Sequence, residues 1–153
     1  MRVVLQRVKH ASVHVDGQET GSIGQGFLIL LGVSDTDDES IADKMADKIC
    51  KLRIFEDENG KTNRSLQDVD GEILVVSQFT LYAGLQKRAN RPQALLTLER
   101  RIMRTASMNI LWSGAGMHVE KVAHGEFGAD MKVDLLNDGP FTLMLDSKDL
   151  LTK

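Results

Sequence analysis

The run Phe27-Leu28-Ile29-Leu30-Leu31-Gly32-Val33 has no polar face, and this constrains the fold more than any other stretch. A strand of that kind is stable only where both of its faces are covered, so it predicts a central strand between two packed layers. The longest further strand candidate is Glu72-Ile73-Leu74-Val75-Val76-Ser77-Gln78-Phe79-Thr80-Leu81-Tyr82. It is apolar for its first half and then carries hydroxyl and amide groups. A core strand that ends in Ser77-Gln78-Phe79-Thr80 presents hydrogen-bonding groups where a sheet opens, a common place for a site.

The remaining segments supply the layers. Val3 to Val8 and Ser12 to Asp16 read as two strands flanking a short loop at Lys9 to Ala11, Asp16-Gly17 as a turn, and residues 20–23 as a short strand. Acid and capping groups at Asp35-Thr36-Asp37-Asp38-Glu39 precede Ile41, Met45, Ile49 and Leu52, which recur at helical spacing. Those four residues fall in one narrow arc, and Cys50 falls nearly opposite, which predicts a structural cysteine pointing off the core face. Residues 53–56 read as a strand, 57–60 as a turn and 61–67 as an irregular connection, with Asp70-Gly71 turning the chain again. Lys87, Arg88 and Arg91 sit in a polar loop closed by Pro92, and Leu95, Leu98, Ile102 and Ala106 then mark a second helix over 93–110. Its opposite face carries Arg100, Arg101 and Arg104, which reads either as simple solvation or, with the loop, as a surface tracking a phosphate backbone. Residues 117–123 and two runs near the C-terminus read as further strands. About eight to ten short strands and two helices, mostly in antiparallel order, predict an α+β domain with a mixed, strongly curved sheet or partial barrel.

At 153 residues the chain is the size of one domain, residues 1–153. One cysteine excludes an internal disulfide and a thiolate metal cluster, and fits a reducing compartment. Met1-Arg2-Val3-Val4-Leu5-Gln6-Arg7-Val8 is interrupted by charge too early for a secretory signal, and no apolar run approaches the length of a bilayer span, so a cytoplasmic protein is expected. A net charge of −3 says little about partners, because RNA binding depends on a local basic face.

The familiar catalytic signatures are missing. His10, His14, His118 and His124 form no helical pair with an acidic partner, so no metal or other cofactor is implied. There is no nucleophile elbow, Walker loop or dinucleotide fingerprint; Gly21, Gly24 and Gly26 have the wrong order. What remains is the polar segment 77–80. A threonine hydroxyl such as that of Thr80 is a poor nucleophile without a base, and none is implied beside it. An activated ester, however, needs only main-chain donors aimed at the developing oxyanion and an oriented attacking group.

One turn-like stretch is unusual. Asn137-Asp138-Gly139-Pro140-Phe141-Thr142 lies between two apolar runs, where Asp-Gly predicts a hairpin. Pro140 removes a donor, and X-Pro is the one common place for a cis peptide, so the stretch reads either as a surface hairpin with an incidental proline or as a device that holds carbonyl oxygens in a pocket.

Several motifs taken together resemble the D-aminoacyl-tRNA deacylases, also called D-tyrosyl-tRNA deacylases. They are Met1-Arg2-Val3-Val4-Leu5-Gln6-Arg7-Val8, Leu30-Leu31-Gly32-Val33, Leu52-Arg53-Ile54-Phe55, Val76-Ser77-Gln78-Phe79-Thr80-Leu81-Tyr82, Phe127-Gly128-Ala129-Asp130-Met131 and the 137–142 stretch. The resemblance spans residues 1–147 and is weakest over 88–116, where Lys87 is followed by Arg88-Ala89-Asn90-Arg91-Pro92 in place of the family's usual Lys-Gly-x-Arg-Pro. It implies hydrolysis of the ester joining a D-amino acid, and often glycine, to the terminal adenosine of tRNA as chiral proofreading. By the same resemblance Ser77, Gln78, Phe79 and Thr80 line the site, with Thr80 a candidate nucleophile. The resemblance further implies that Gly139-Pro140 is a cis bond inserted into the pocket of a second subunit, with Arg7 fixing it and Met131 lining the same pocket; the candidate tRNA contacts, Lys87, Arg88 and Arg91, come from the basic loop. A homodimer with two composite sites follows. The alternatives are a same-fold editing enzyme for another mischarged amino acid and a non-catalytic tRNA-binding module.

Overall fold

A computed structural model describes residues 1–34, 36–82 and 119–151. The expected helix over 93–110 and the basic loop with Lys87, Arg88 and Arg91 lie outside the described residues.

The fold is built around one long strand. Val3, Leu5, Val8, Ala11 and Val13 are buried along β1 (Arg2–Val15), which runs without a break where a loop at Lys9 to Ala11 was expected. The reason is pairing on both edges. Along one edge β1 meets β2 (Gln18–Ile23) and then β3 (Gly26–Gly32), and along the other it meets β8 (Met131–Asp146), all antiparallel. Pairing on either side of Lys9 and His10, whose side chains are exposed, holds the strand through their weak strand preference. Asp16 and Gly17 both take positive φ in the two-residue turn joining β1 to β2.

β3 is the central strand that its composition demands. It pairs β1 on one edge and, in parallel, β6 (Glu72–Ser77) on the other; β6 pairs β7 (Val122–His124), also in parallel. β7 in turn lies against β2, so the mixed sheet curls nearly closed. Phe27, Ile29 and Leu31 face a core formed with α1 (Glu39–Cys50), whereas Leu28 packs with Val8, Val13, Leu74 and Val76 in a second cluster on the opposite face. No helix among the described residues is long and apolar enough to cross a membrane.

The Asp38 carboxylate caps α1 by accepting from the Ile41 amide. Its buried stripe is Ala42, Met45, Ala46, Ile49 and Cys50, and Cys50 lies inside the core rather than off it. The small residues Ala42 and Ala46 widen the buried arc round to Cys50, while Ile41 and Leu52 stay half-buried against the same core. Burial, then the nearby Asp47 carboxylate, pushes the Cys50 thiol up to about 11. β4 (Phe55–Glu56) and β5 (Thr62–Arg64) form a small separate hairpin, placing strand pairing in the stretch expected to be irregular. A short C-terminal helix α2 (Ser147–Leu151), which the sequence pattern did not reveal, follows β8.

Candidate active site

The expected hairpin at 137–142 does not form. Residues 131–146 are one strand, and both halves pair with β1 instead of with each other. Between the pairs Gln6↔Thr142 and His10↔Leu136 the partner strand β8 carries two extra residues, and the surplus bulges outward around Gly139 and Pro140. Gly139 has φ 125°, a conformation that favours glycine, and a Cβ there would stand 2.9 Å from a guanidinium nitrogen of Arg7. The Gly139–Pro140 bond is trans, since no peptide bond among the described residues is cis. This corrects the expected cis geometry. The glycine makes the bend through its own φ, both residues are exposed in the single chain, and the intrinsic trans preference of about 0.5–1 kcal/mol then stands unopposed.

Arg7 organises the bulge. The residue is 3% exposed; Nε donates to the Asp138 carbonyl at 3.0 Å and Nη1 to the Ile54 carbonyl. The Asp138 carboxylate is 3.3 Å from Nε, and the guanidinium lies 4.9 Å from the Phe141 ring centroid. From the strand side, Asn137 donates through Nδ2 to the carbonyls of Arg7 at 3.0 Å and Phe141 at 3.1 Å. The loop is therefore tied at both shoulders while its tip, Gly139-Pro140, faces outward.

The polar end of β6 forms the other half of the candidate site. Ser77 ends the strand opposite Leu31, and the chain tightens into a 3₁₀ turn, Phe79–Tyr82. The Gln78 amide donates to the Leu31 carbonyl at 2.7 Å, and the Leu81 amide to the Gln78 carbonyl at 3.2 Å. Ser77, Gln78 and Phe79 are half-buried and Thr80 is exposed. The Thr80 hydroxyl accepts from the Gln78 side-chain amide; among the described residues no histidine, lysine or carboxylate hydrogen-bonds to it. Among the described residues it has no base to activate it, and on these residues the turn is better suited to presenting main-chain donors than a nucleophile.

Within one chain these two halves stand apart. The 3₁₀ turn touches the beginning of β1 at Arg2, five residues from Arg7, or about 17 Å along a strand. Met131 lies farther away: it pairs with Val15 at the opposite end of β8 and packs on the second core cluster, away from Thr80. Among the described residues no group of three or more His, Cys, Asp or Glu is placed to hold a metal ion. The sequence motifs did not single out Arg2, whose contacts with the turn are direct. Its position opposite Asp146 becomes visible only once β1 and β8 are in register.

Comparison with known proteins finds similarity over almost the whole chain. The family model described as D-Tyr-tRNA(Tyr) deacylase matches residues 4–146. A D-aminoacyl-tRNA deacylase of Lactobacillus acidophilus is 55% identical, covering 95% of this chain and 99% of that protein. One of Flavobacterium johnsoniae is 48% identical, covering 97% and 99%. Among solved structures, the c-Myc DNA unwinding element binding protein superposes with a TM-score of 0.82 at 38% identity, over 95% of this chain and 98% of that one. A probable eukaryotic D-amino acid tRNA deacylase shares the fold, with a TM-score of 0.67 at 18% identity over 94% and 97%. With a family match that starts in β1 and ends at the last residue of β8, this chain belongs to the D-tyrosyl-tRNA deacylase family.

Proposed function

We propose that this protein hydrolyses the ester of D-aminoacyl-tRNA, releasing the free amino acid and tRNA. The observation that carries the proposal is the 55% identity, over 95% of this chain and 99% of the relative, to a protein named D-aminoacyl-tRNA deacylase. The chemistry suits the Ser77-Gln78-Phe79-Thr80 segment. Water attacks the ester carbonyl, the carbonyl oxygen becomes an oxyanion, and the ribose hydroxyl of the terminal adenosine leaves with a proton. An aminoacyl ester is activated enough that main-chain N–H groups at the turn, together with the neighbouring ribose hydroxyl, lower the barrier without a side-chain base. Glycyl-tRNA, having no side chain to exclude, is a second substrate.

Stereochemical choice falls to the bulge. One methyl group separates similar substrates poorly by affinity, whereas a rigid backbone placed where only an L side chain would go turns selection into a clash. Gly139-Pro140 is exposed, tied down by Arg7, and remote from the 3₁₀ turn of its own chain. These features support a homodimer in which the bulge of one protomer completes the site of the other, with Met131 contributed across the same interface. Lys87, Arg88 and Arg91 supply the basic contacts to the tRNA backbone.

The test is a panel of D-tyrosyl-, L-tyrosyl-, glycyl- and other mischarged tRNAs incubated with catalytic amounts of protein. Turnover of the D and glycyl esters with the L ester spared is expected. Cleavage of a different mischarged ester alone would assign a same-fold editing enzyme, and tRNA binding with no cleavage would assign a binding module.

A further inference from the structure

The proposed donors at Phe79 and Thr80 lie between two fixed points. On one side the Gln78 amide is bonded to the Leu31 carbonyl at 2.7 Å. The turn also sits so close to the end of β3 that a Cβ on Gly32 would meet Leu81 Cβ at 3.1 Å, the Gln78 carbonyl oxygen at 3.2 Å and Tyr82 Cδ2 at 3.2 Å. On the other side a single arginine holds the chain. Arg2 Nη1 donates to the Leu81 carbonyl at 2.9 Å, Nε donates to Asp146 Oδ2 at 2.9 Å, and the guanidinium lies 4.7 Å from the Tyr82 ring centroid. Arg2 and Asp146 are directly paired across β1 and β8, so the clamp is anchored in the longest ladder of the sheet.

We infer that Arg2, oriented by Asp146, is a positioning residue for the reaction: it fixes the far end of the 3₁₀ turn and so aims the Phe79 and Thr80 main chain at the ester. The inference rests on the deacylase reading of this segment. A planar fork suits the task because it bonds a carboxylate and a carbonyl at once while covering an aromatic face. The single ammonium of lysine does not reproduce that geometry. Misplacement of donors by about 1 Å costs on the order of 100-fold in rate. The effect falls on the chemical step rather than on tRNA binding, which other surfaces provide.

The experiment compares wild-type protein with Arg2→Ala and Arg2→Lys, well below their melting temperatures. It measures kcat and KM on D-tyrosyl-tRNA and hydrogen–deuterium exchange of peptides covering 77–82. The expected result is a fall in kcat of about 10- to 100-fold in Arg2→Ala, a smaller fall in Arg2→Lys and KM within a few-fold of wild type. Exchange should quicken in the 77–82 peptides while those of β3 keep their protection. Unchanged kcat in both folded variants, or unchanged exchange in the turn, overturns the role of Arg2, even if Arg2→Ala melts earlier. Wild-type protein that leaves D-tyrosyl-tRNA intact overturns the functional reading instead; the exchange data then decide alone whether the clamp exists.

Discussion

Replacing Arg7 with methionine keeps the aliphatic stem and removes the fork that holds the bulge. Two half-buried carbonyls, those of Asp138 and Ile54, lose a charged donor, and a hydrogen bond to a charged group is worth about 1.5–3 kcal/mol. Loss of the guanidinium from the Phe141 face removes roughly 0.5–2 kcal/mol. The ion pair to Glu56 adds little, because it is 3.8 Å long and its carboxylate is 62% exposed. These terms overlap, so the expected loss is about 3–5 kcal/mol. For a domain of this size that is a fall in Tm of about 6–20 °C. Urea unfolding at fixed protein concentration provides the assay, read as a lower midpoint with an unchanged slope. A loss under about 1 kcal/mol would mean that the bulge stands without Arg7, and the idea of a tied-down stereochemical barrier would go with it.

Further outcomes follow from the same geometry. Thr80→Ala keeps every main-chain donor and should retain activity within about 10-fold of wild type, whereas Thr80→Pro removes one N–H and should cost about 100- to 1000-fold; the reverse order, measured by single-turnover deacylation, would make the hydroxyl the nucleophile. Gly139→Ala forces a side chain into positive φ against Arg7 and should destabilise by about 1–3 kcal/mol in the same urea assay. Burial, then Asp37, pushes the phenol of Tyr82 up to about 12, so the absorbance of this one tyrosine at 295 nm should titrate about two units above a free phenol, and a midpoint near 10 would place the ring in solvent. The Lys148 amide, then Arg2, holds the Asp146 carboxyl below the usual carboxylate range. Its folded pKa is depressed, so its contribution is present above the unfolded value of about 3.9 and is lost as pH falls through the lower folded value. The stability gap between wild type and Asp146→Asn should therefore hold above the unfolded value and close as the pH falls below about 4, and a gap independent of pH would refute the pairing.

Much of the scaffold can be read from local pattern because its causes are local. The apolar run at β3, the Asp38 cap of α1 and the Asp16-Gly17 turn each act within a few residues. The change from apolar to polar side chains at Ser77 likewise marks where β6 leaves the sheet. The failures share a different origin. Asp138-Gly139 is a turn signal, but it cannot say whether the flanking strands pair with each other or with a third; here β1 claims both, and the turn becomes a bulge. Lys9 and His10 look like a break only until two neighbouring strands hold the backbone around them. Cys50 was misplaced because alanines carry little weight in an apolar arc, yet here Ala42 and Ala46 widen the buried arc of α1 round to it. The site itself is least legible, since the segment proposed to present donors and the segment proposed to exclude L side chains contact β1 at different places and meet, in the proposed dimer, only across two chains.

Co-expression of two variants tests that composite site most directly. Thr80→Pro removes a donor from the turn and should be inert, whereas Gly139→Val displaces the bulge and should cleave L-tyrosyl-tRNA as well as the D ester. In an equal mixture half of the dimers are heterodimers, in which the turn of the Gly139→Val protomer faces the intact bulge of its partner, so only the Gly139→Val homodimers should cleave the L ester, at about a quarter of the rate of Gly139→Val alone at equal total protein. About half of that rate, the value for a site built within one chain, would contradict a site built from two protomers.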